Sequence, residues 1–303
     1  MRESPVATIR APAVAGAFYP DGPARLAGLV DRLLAAADHL AAADRPAAEP
    51  APLPVGLLVP HAGLVYSGVV AAAAWRELGR LSSASPLTVV ILGTNHGASW
   101  LDGVAGWGPG AWRTPLGDVA LDDELSDAIL ALGPPFLLDR EAHRGEHSIE
   151  VQLPLLQTIA PAARVVPLAV STGTGDEAIV SGVRLGTLLA RRRAAGERVV
   201  LAISSDMAHY PAASDCARAT AEQLPPLLGL DPTALAIQEA ALVAGGTPGM
   251  LCGMCGIEPA ALGLAAVRAM GGGRGEALAA ATSADAGGPA DRTVGYLSVA
   301  WPA

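Results

Sequence analysis

The chain has no lysine; all of its Lys-plus-Arg total is arginine. That absence excludes a lysine Schiff base to pyridoxal phosphate or to an aldehyde substrate. It also excludes a P-loop, whose lysine grips the phosphates. Cysteine is scarce: Cys216, Cys252 and Cys255 are too few and too unevenly placed for a disulfide framework. Aromatics reach only 4%, and much of the 51% hydrophobic content is alanine, so the positive mean hydropathy reflects Ala-rich helices. No stretch approaches the ~18–20 continuous apolar residues of a membrane-spanning helix. Residues 1–12 contain no apolar core of signal-peptide length. A cytoplasmic protein without membrane association is therefore expected. Net charge is −9, and the densest basic run is Arg191-Arg192-Arg193. That triplet falls where a helix should end, a place that cations favour, so no nucleic-acid partner is expected.

What is present is a repeated grammar. Residues 55–59 (VGLLV) read as a buried strand, which Pro60 stops before His61-Ala62-Gly63 turns the chain. Residues 87–92 do the same before Gly93-Thr94-Asn95-His96, and residues 198–203 before Ser204-Ser205-Asp206-Met207-Ala208-His209. Three buried strands thus end in histidine-bearing turns. In open α/β sheets, sites are built beyond the carboxyl ends of strands.

Helices are expected over 26–43, 67–79, 122–132, 176–195, 212–228, 232–244 and 260–270. A further helix should run from the polar cluster 143–150 past Pro154 toward Ile159. Additional strands are expected over 165–170 and 294–300. Residues 44–54, with four prolines, read as a loop. Residues 103–117 should form short antiparallel pieces or a loop over one edge, and 271–290 a loose connection. No repeat and no composition break divides the chain. Strands alternating with helices predict one α/β domain over 1–303, with a mainly parallel central sheet flanked by helices.

Five of the six histidines fall in loops or at element ends, and His39 sits among alanines in the first helix. His61 and His96, each just after an apolar run, suit metal ligation, with positions left open for substrate or O₂. Asp206 and His209 are three apart and would share a face if the segment began a helical turn, giving an Asp-oriented acid/base. Helix capping is the competing reading for the Asp. Cys252 and Cys255 form one CxxC, compatible with a redox pair, part of a metal site, or chance. Cys255 should lie just before a helix N-terminus, which would lower its thiol pKa. Ser148, within Glu146-His147-Ser148-Ile149-Glu150, is a candidate N-cap. No Gly-x-Ser-x-Gly elbow and no HExxH occurs, so serine-hydrolase and zincin chemistry find no support.

These segments resemble, in order, those of the Memo family, whose bacterial and archaeal members are called AmmeMemoRadiSam system protein B. The resemblance rests on Ala15-Gly16-x-Phe18-Tyr19-Pro20, Pro60-His61-Ala62-Gly63 with Tyr66-Ser67-Gly68, and Ile91-Leu92-Gly93-Thr94-Asn95-His96. It continues through Arg113-Thr114-Pro115-Leu116-Gly117, Glu146-His147-Ser148-Ile149-Glu150, Ser204-Ser205-Asp206-x-x-His209 and Cys255-Gly256-x-x-Pro259. The family is similar in fold to class III extradiol dioxygenases of the LigB type, which bind non-haem Fe(II). The resemblance implies His61, His96 and Cys255 as metal-binding positions, with Asp206, His209 and His147 as other pocket residues. It implies iron, with copper or zinc as alternatives, and a small-molecule or peptide ligand. The family name points to radical-SAM and AMMECR-type proteins as partners. Extradiol enzymes carry a glutamate where Cys255 stands; Glu258, three residues on, is the nearest substitute.

Overall fold

The computed structural model describes residues 8–42, 52–79 and 86–303. Most of the loop expected over 44–54 lies outside these residues, as do residues 1–7 and the side chain of His39. In chain order the strands are β1 (Thr8–Arg10), β2 (Gly56–Val59), β3 (Leu87–Thr94), β4 (Gly103–Gly106), β5 (Gly110–Thr114) and β6 (Gly117–Ala120), then β7 (Phe136–Leu138), β8 (Arg164–Ser171), β9 (Arg198–Ser204), β10 (Glu276–Thr282) and β11 (Gly295–Trp301). The helices are α1 (Pro23–Ala42), α2 (Leu64–Gly79), α3 (Asp123–Leu130), α4 (Leu153–Ile159), α5 (Asp176–Ala194), α6 (Ala213–Leu228), α7 (Pro232–Ala244) and α8 (Ile257–Ala269).

An eight-stranded sheet runs in the order β10-β11-β2-β9-β3-β8-β4-β7. Its centre, β2-β9-β3-β8, is parallel throughout. These strands are buried on both faces, which is why they read as unbroken apolar runs rather than alternating ones. Antiparallel pairs flank them, β11 on β2 and β4 on β8. Alternate residues feed two separate cores. Leu57, Val59, Val89 and Ile91 pack with α1, α2 and α4, whereas Leu58, Val90, Leu92 and Ile203 pack with α5 and α8. Helices α5 and α8 press together at Gly182 and Gly186, where a Cβ would come within 2.2 Å of the Leu262 and Ala266 carbonyl oxygens. The expected single α/β architecture with a largely parallel sheet flanked by helices is what forms.

Two expectations change. Residues 276–282 are not a loose connection but the edge strand β10, paired antiparallel with β11. Its sequence, EALAAAT, has little β-branched or aromatic character, and cross-strand pairing overrides that weak local preference. Helix α2 starts at Leu64, ahead of Ser67, whose hydroxyl donates to the Ala62 carbonyl at 2.9 Å instead of capping. Residues 103–117 split between β4 in the main sheet and β5, which forms a hairpin with β6 and pairs in parallel with β1. No helix among the described residues is long and apolar enough to cross a membrane.

Candidate metal centre

Because β2, β9 and β3 are adjacent and parallel, their carboxyl ends open on one edge of the sheet. The turns bearing His61, His96 and His209 all leave from that edge. The polar segment before α4 adds His147. The rings of His61 and His96 lie 5.2 Å apart, those of His61 and His147 5.4 Å, and those of His96 and His147 are stacked at 4.4 Å. Phe18 packs on the other neighbour of the stack, 4.4 Å from His147.

His61 is almost completely buried, and its Nε2 lies 3.2 Å from Cys255 Sγ. Burial, with the neighbouring His147 and His96, pushes the His61 pKa well below its ordinary value, so the imidazole is neutral. The ligand atoms of His61, His96 and Cys255 lie within 4.8 Å of one another. Cys255 precedes Gly256, which opens α8. The expected lowering of its thiol pKa is reversed. Burial drives it well above the usual value, Asp206 adds to this, and the hydrogen bond with Ser205 only partly opposes it. One helix terminus contributes about half a charge, too little to offset desolvation of a thiolate.

His96 is held by Glu146. The carboxylate accepts the His96 backbone N–H at 2.7 Å and Nδ1–H at 2.9 Å, and also the His147 and Ser148 backbone N–H groups at 2.8 Å. Burial alone would raise the Glu146 pKa. The bonds from the His96 ring and from the Ser148 and His96 N–H groups outweigh it and hold the carboxyl well below the usual range. With Nδ1 donating to Glu146, His96 presents Nε2 as its free lone pair. His147 lies beside the same carboxylate, 3.4 Å from Nδ1 to Oε1, and burial lowers its pKa to about 4. His96, Glu146 and His147 form a second close group of potential donors. The four N–H donors already engage the Glu146 oxygens, so its role is to orient.

Asp206 and His209 do not sit on a helical turn. The chain from Ser205 to Ala208 is neither helix nor strand, and His209 bridges to Cys252 and Val294. Asp206 does not orient His209, whose Nδ1 lies 2.8 Å from the Met207 carbonyl and donates to it. Asp206 Oδ1 instead accepts the backbone N–H groups of His61 at 2.7 Å and Ala62 at 3.2 Å. Complete burial raises the Asp206 pKa to about 7, although those two donors oppose the rise. Burial lowers that of His209, and the Met207 carbonyl partly opposes this. Ser148 is no N-cap either; its hydroxyl donates to the Thr94 carbonyl at 2.9 Å. Glu258 points elsewhere, accepting the Thr172 N–H at 3.0 Å, so it does not replace Cys255. Cys252 lies 3.7 Å from His209 Nδ1, and its thiol is pushed up to about 12 by burial.

Sequence reasoning placed Glu146 in a polar cluster without giving it a partner. Its tie to His96 is visible only when the loop before α4 folds over the end of β3. The Arg10–Glu150 ion pair beneath it was missed as well. Arg10 Nε and Nη2 donate to the carbonyls of His143 and Glu146, while Glu150 accepts Nη1 and the backbone N–H groups of Ala13 and Val14. This buried hub fixes both the loop carrying Glu146 and the segment carrying Phe18.

The donor set suits a metal ion. Two imidazole lone pairs and one thiol are ligands that iron, copper and zinc accept. Metal–N and metal–S bonds near 2.0 and 2.3 Å separate neighbouring donors by roughly 3.1–3.6 Å, and the 3.2 Å between His61 Nε2 and Cys255 Sγ lies in that range. A thiolate buried here needs a cation. Beside His96 the surface opens into a cavity of about 510 Å³ lined by Trp100, Glu141, Arg144 and Glu146, among others.

Comparison with known proteins agrees over nearly the whole chain. Residues 10–300 match the family model for Memo-like proteins. A MEMO1 family protein of Methanopyrus kandleri is 35% identical over 296 residues, covering 96% of this chain and 98% of that one. A MEMO1 family protein of Methanocaldococcus jannaschii is 32% identical over 300 residues, with coverage of 96% and 98%. Among solved structures, an uncharacterized protein of Escherichia coli K12 aligns with 18% identity and a TM-score of 0.44, covering 82% of this chain and 99% of that one, a likeness too distant to bear on function. The family match and the relatives' identity and coverage agree: this chain belongs to the Memo family.

Proposed function

We propose that the chain holds a redox metal, iron or copper before zinc, on His61, His96 and Cys255, and acts as an oxygenase-like or redox enzyme on a small substrate. The observation that carries this reading is the convergence of two lone-pair imidazole nitrogens and a half-buried thiol within 4.8 Å at the carboxyl edge of the sheet. When bound, the metal would supply Lewis-acid and redox chemistry. The chain's own residues supply the rest. Glu146 locks the His96 ring, and His61 is neutral and ready to donate its lone pair. His209 has Nδ1 tied to the Met207 carbonyl, which leaves Nε2 to take and return a proton as acid/base. Asp206, titrating near neutrality, can hold a proton at its carboxyl. His147, neutral between Phe18 and His96, orients substrate or water. A thiolate in place of glutamate favours softer metals and is itself oxidisable, so catechol ring cleavage is not the reaction proposed.

A second reading is a non-catalytic protein that binds metal or peptide in this pocket and works through partners, radical-SAM and AMMECR-type proteins among them. Exposed apolar side chains next to the site-bearing loops favour it: Val65, Tyr66, Trp100 and Leu251 are 63%, 46%, 62% and 68% exposed. Anaerobic purification, quantification of iron, copper and zinc, and O₂ uptake with catechols and other small reductants separate the two. Bound metal with O₂ consumption supports the enzyme. Bound metal without turnover favours the binding protein. Metal content unchanged in both His61→Ala and Cys255→Ser would remove the ligand assignment.

A further inference from the structure

We propose that Ser204 is a positioning residue that fixes the protonation pattern of His61, and that Trp75 and Gln152 set the direction of its hydrogen bonds. The inference rests on reading His61 as a metal ligand. It adds what makes the correct nitrogen available. All four side chains are 1% exposed or less. An indole N–H can only donate, so Trp75 Nε1, 2.9 Å from Gln152 Oε1, fixes the orientation of that amide. The Gln152 NH₂ then faces two acceptors, the Pro60 carbonyl at 2.9 Å and Ser204 Oγ at 3.0 Å. Ser204 has one proton. The Ser148 carbonyl, 2.7 Å away, can only accept, and it takes that proton. Ser204 Oγ therefore has only lone pairs left for its remaining neighbour, His61 Nδ1 at 3.1 Å. Nδ1 must carry the ring proton. The lone pair is thereby placed on Nε2, the nitrogen facing Cys255 Sγ.

Every bond in this chain is directed by the chemistry of its neighbour, and every group in it is satisfied. The opposite tautomer would require Ser204 to donate to Nδ1, stripping the buried Ser148 carbonyl of this donor. It would also aim an N–H at the site where a metal needs a lone pair. Glu146 performs the same service for His96 with a carboxylate. His61 receives it from a neutral hydroxyl, so its ring nitrogen is directed without a carboxylate bonded to it. If the Ser204 hydroxyl is removed, His61 Nδ1 loses its acceptor and the Gln152 NH₂ loses one of its two. Where that freed donor turns to Nδ1, the Nε2–H form is favoured.

The test reads the tautomer directly. The metal-free protein, labelled with ¹⁵N-histidine, is examined by long-range ¹H–¹⁵N correlation, alongside Ser204→Ala, and zinc affinity is measured for both by competition with a chelator. The expected result is Nδ1–H for His61 in the wild type. In Ser204→Ala, the Nε2–H form should be gained, with a loss of zinc affinity of about 10–100-fold. His96, held by Glu146, should keep its tautomer in both proteins and serves as the internal control. Nε2–H on His61 in the wild type overturns the proposal, and so does Ser204→Ala with the tautomer unchanged, whatever its affinity. Should Ser204→Ala fail to fold, the wild-type tautomer decides alone, Nδ1–H for and Nε2–H against. Absence of zinc binding by the wild type would remove the metal reading of the site, whereas the tautomer would still judge this inference.

Discussion

Glu146 and Asp206 stand beside different candidate ligands in comparable roles. Each is a buried carboxylate whose oxygen accepts, at 2.7 Å, the backbone N–H of a candidate ligand, His96 for Glu146 and His61 for Asp206. Their ionisation nevertheless diverges. Glu146 is held well below the usual range, and Asp206 is raised to about 7. The number of donors decides. Glu146 collects three backbone N–H groups and an imidazole N–H, whereas Asp206 has two backbone N–H groups on one oxygen and is wholly buried. His96 therefore has a standing negative charge beside it, and His61 a carboxyl that changes charge near neutrality.

Removing Glu146 should break this comparison most severely. Glu146→Ala orphans four donors, and because each buried unsatisfied group costs about 1–3 kcal/mol, stability at pH 7 should fall by about 3 kcal/mol or more. Urea unfolding measures this, and a loss under about 1 kcal/mol would show that water or a neighbour replaces the carboxylate. Asp206→Asn should do the reverse. The amide oxygen can still accept from His61 and Ala62, and no charge has to be buried, so at pH 8 the variant should be at least as stable as the wild type.

The pH dependence sharpens the same contrast. The folded pKa of Asp206, about 7, lies above the unfolded value of about 3.9. The folded state thus holds the extra proton, and the stability it contributes is complete below about pH 4 and is lost as pH rises toward 7. The difference between wild type and Asp206→Asn should change by at most about 1.4 kcal/mol per pH unit across that window. Glu146 works in the opposite sense, with its folded pKa depressed: its contribution is present above about pH 4.3 and is lost as pH falls below that. A wild-type-minus-variant difference that is flat between pH 5 and 7 would show that Asp206 is ionised throughout. Metal affinity should rise about tenfold per pH unit from pH 6 to 8, because Cys255 must release a proton on binding and His61 is already neutral. The smallest effect is expected from Glu258→Gln, which should leave metal affinity unchanged, since that carboxylate serves Thr172.

Much of this frame was readable before folding. The apolar runs ending at Val59, Leu92 and Ile203, each followed by polar turns, specify buried parallel strands and put three histidines at one sheet edge. What stayed hidden has separate physical causes. Strand β10 lacks side chains with a strand preference and forms because β11 supplies its hydrogen bonds. The spacing of Asp206 and His209 matches a helical turn, but their segment is not helical and their hydrogen bonds go to different partners. The position of Cys255 before α8 suggested an acidic thiol, and burial, which no local sequence reports, reverses the sign. Ser204 looks like any serine at a strand end until Trp75, Gln152 and Ser148 are placed around it.

The central claim, that His61, His96 and Cys255 together hold a metal ion, is tested most directly by loading the protein with Co(II) under anaerobic conditions and recording its absorption spectrum. One equivalent should bind and give a thiolate-to-cobalt charge-transfer band that disappears in Cys255→Ser and weakens with loss of binding in His61→Ala. No stoichiometric binding, or a band that persists without the Cys255 sulfur, would contradict it.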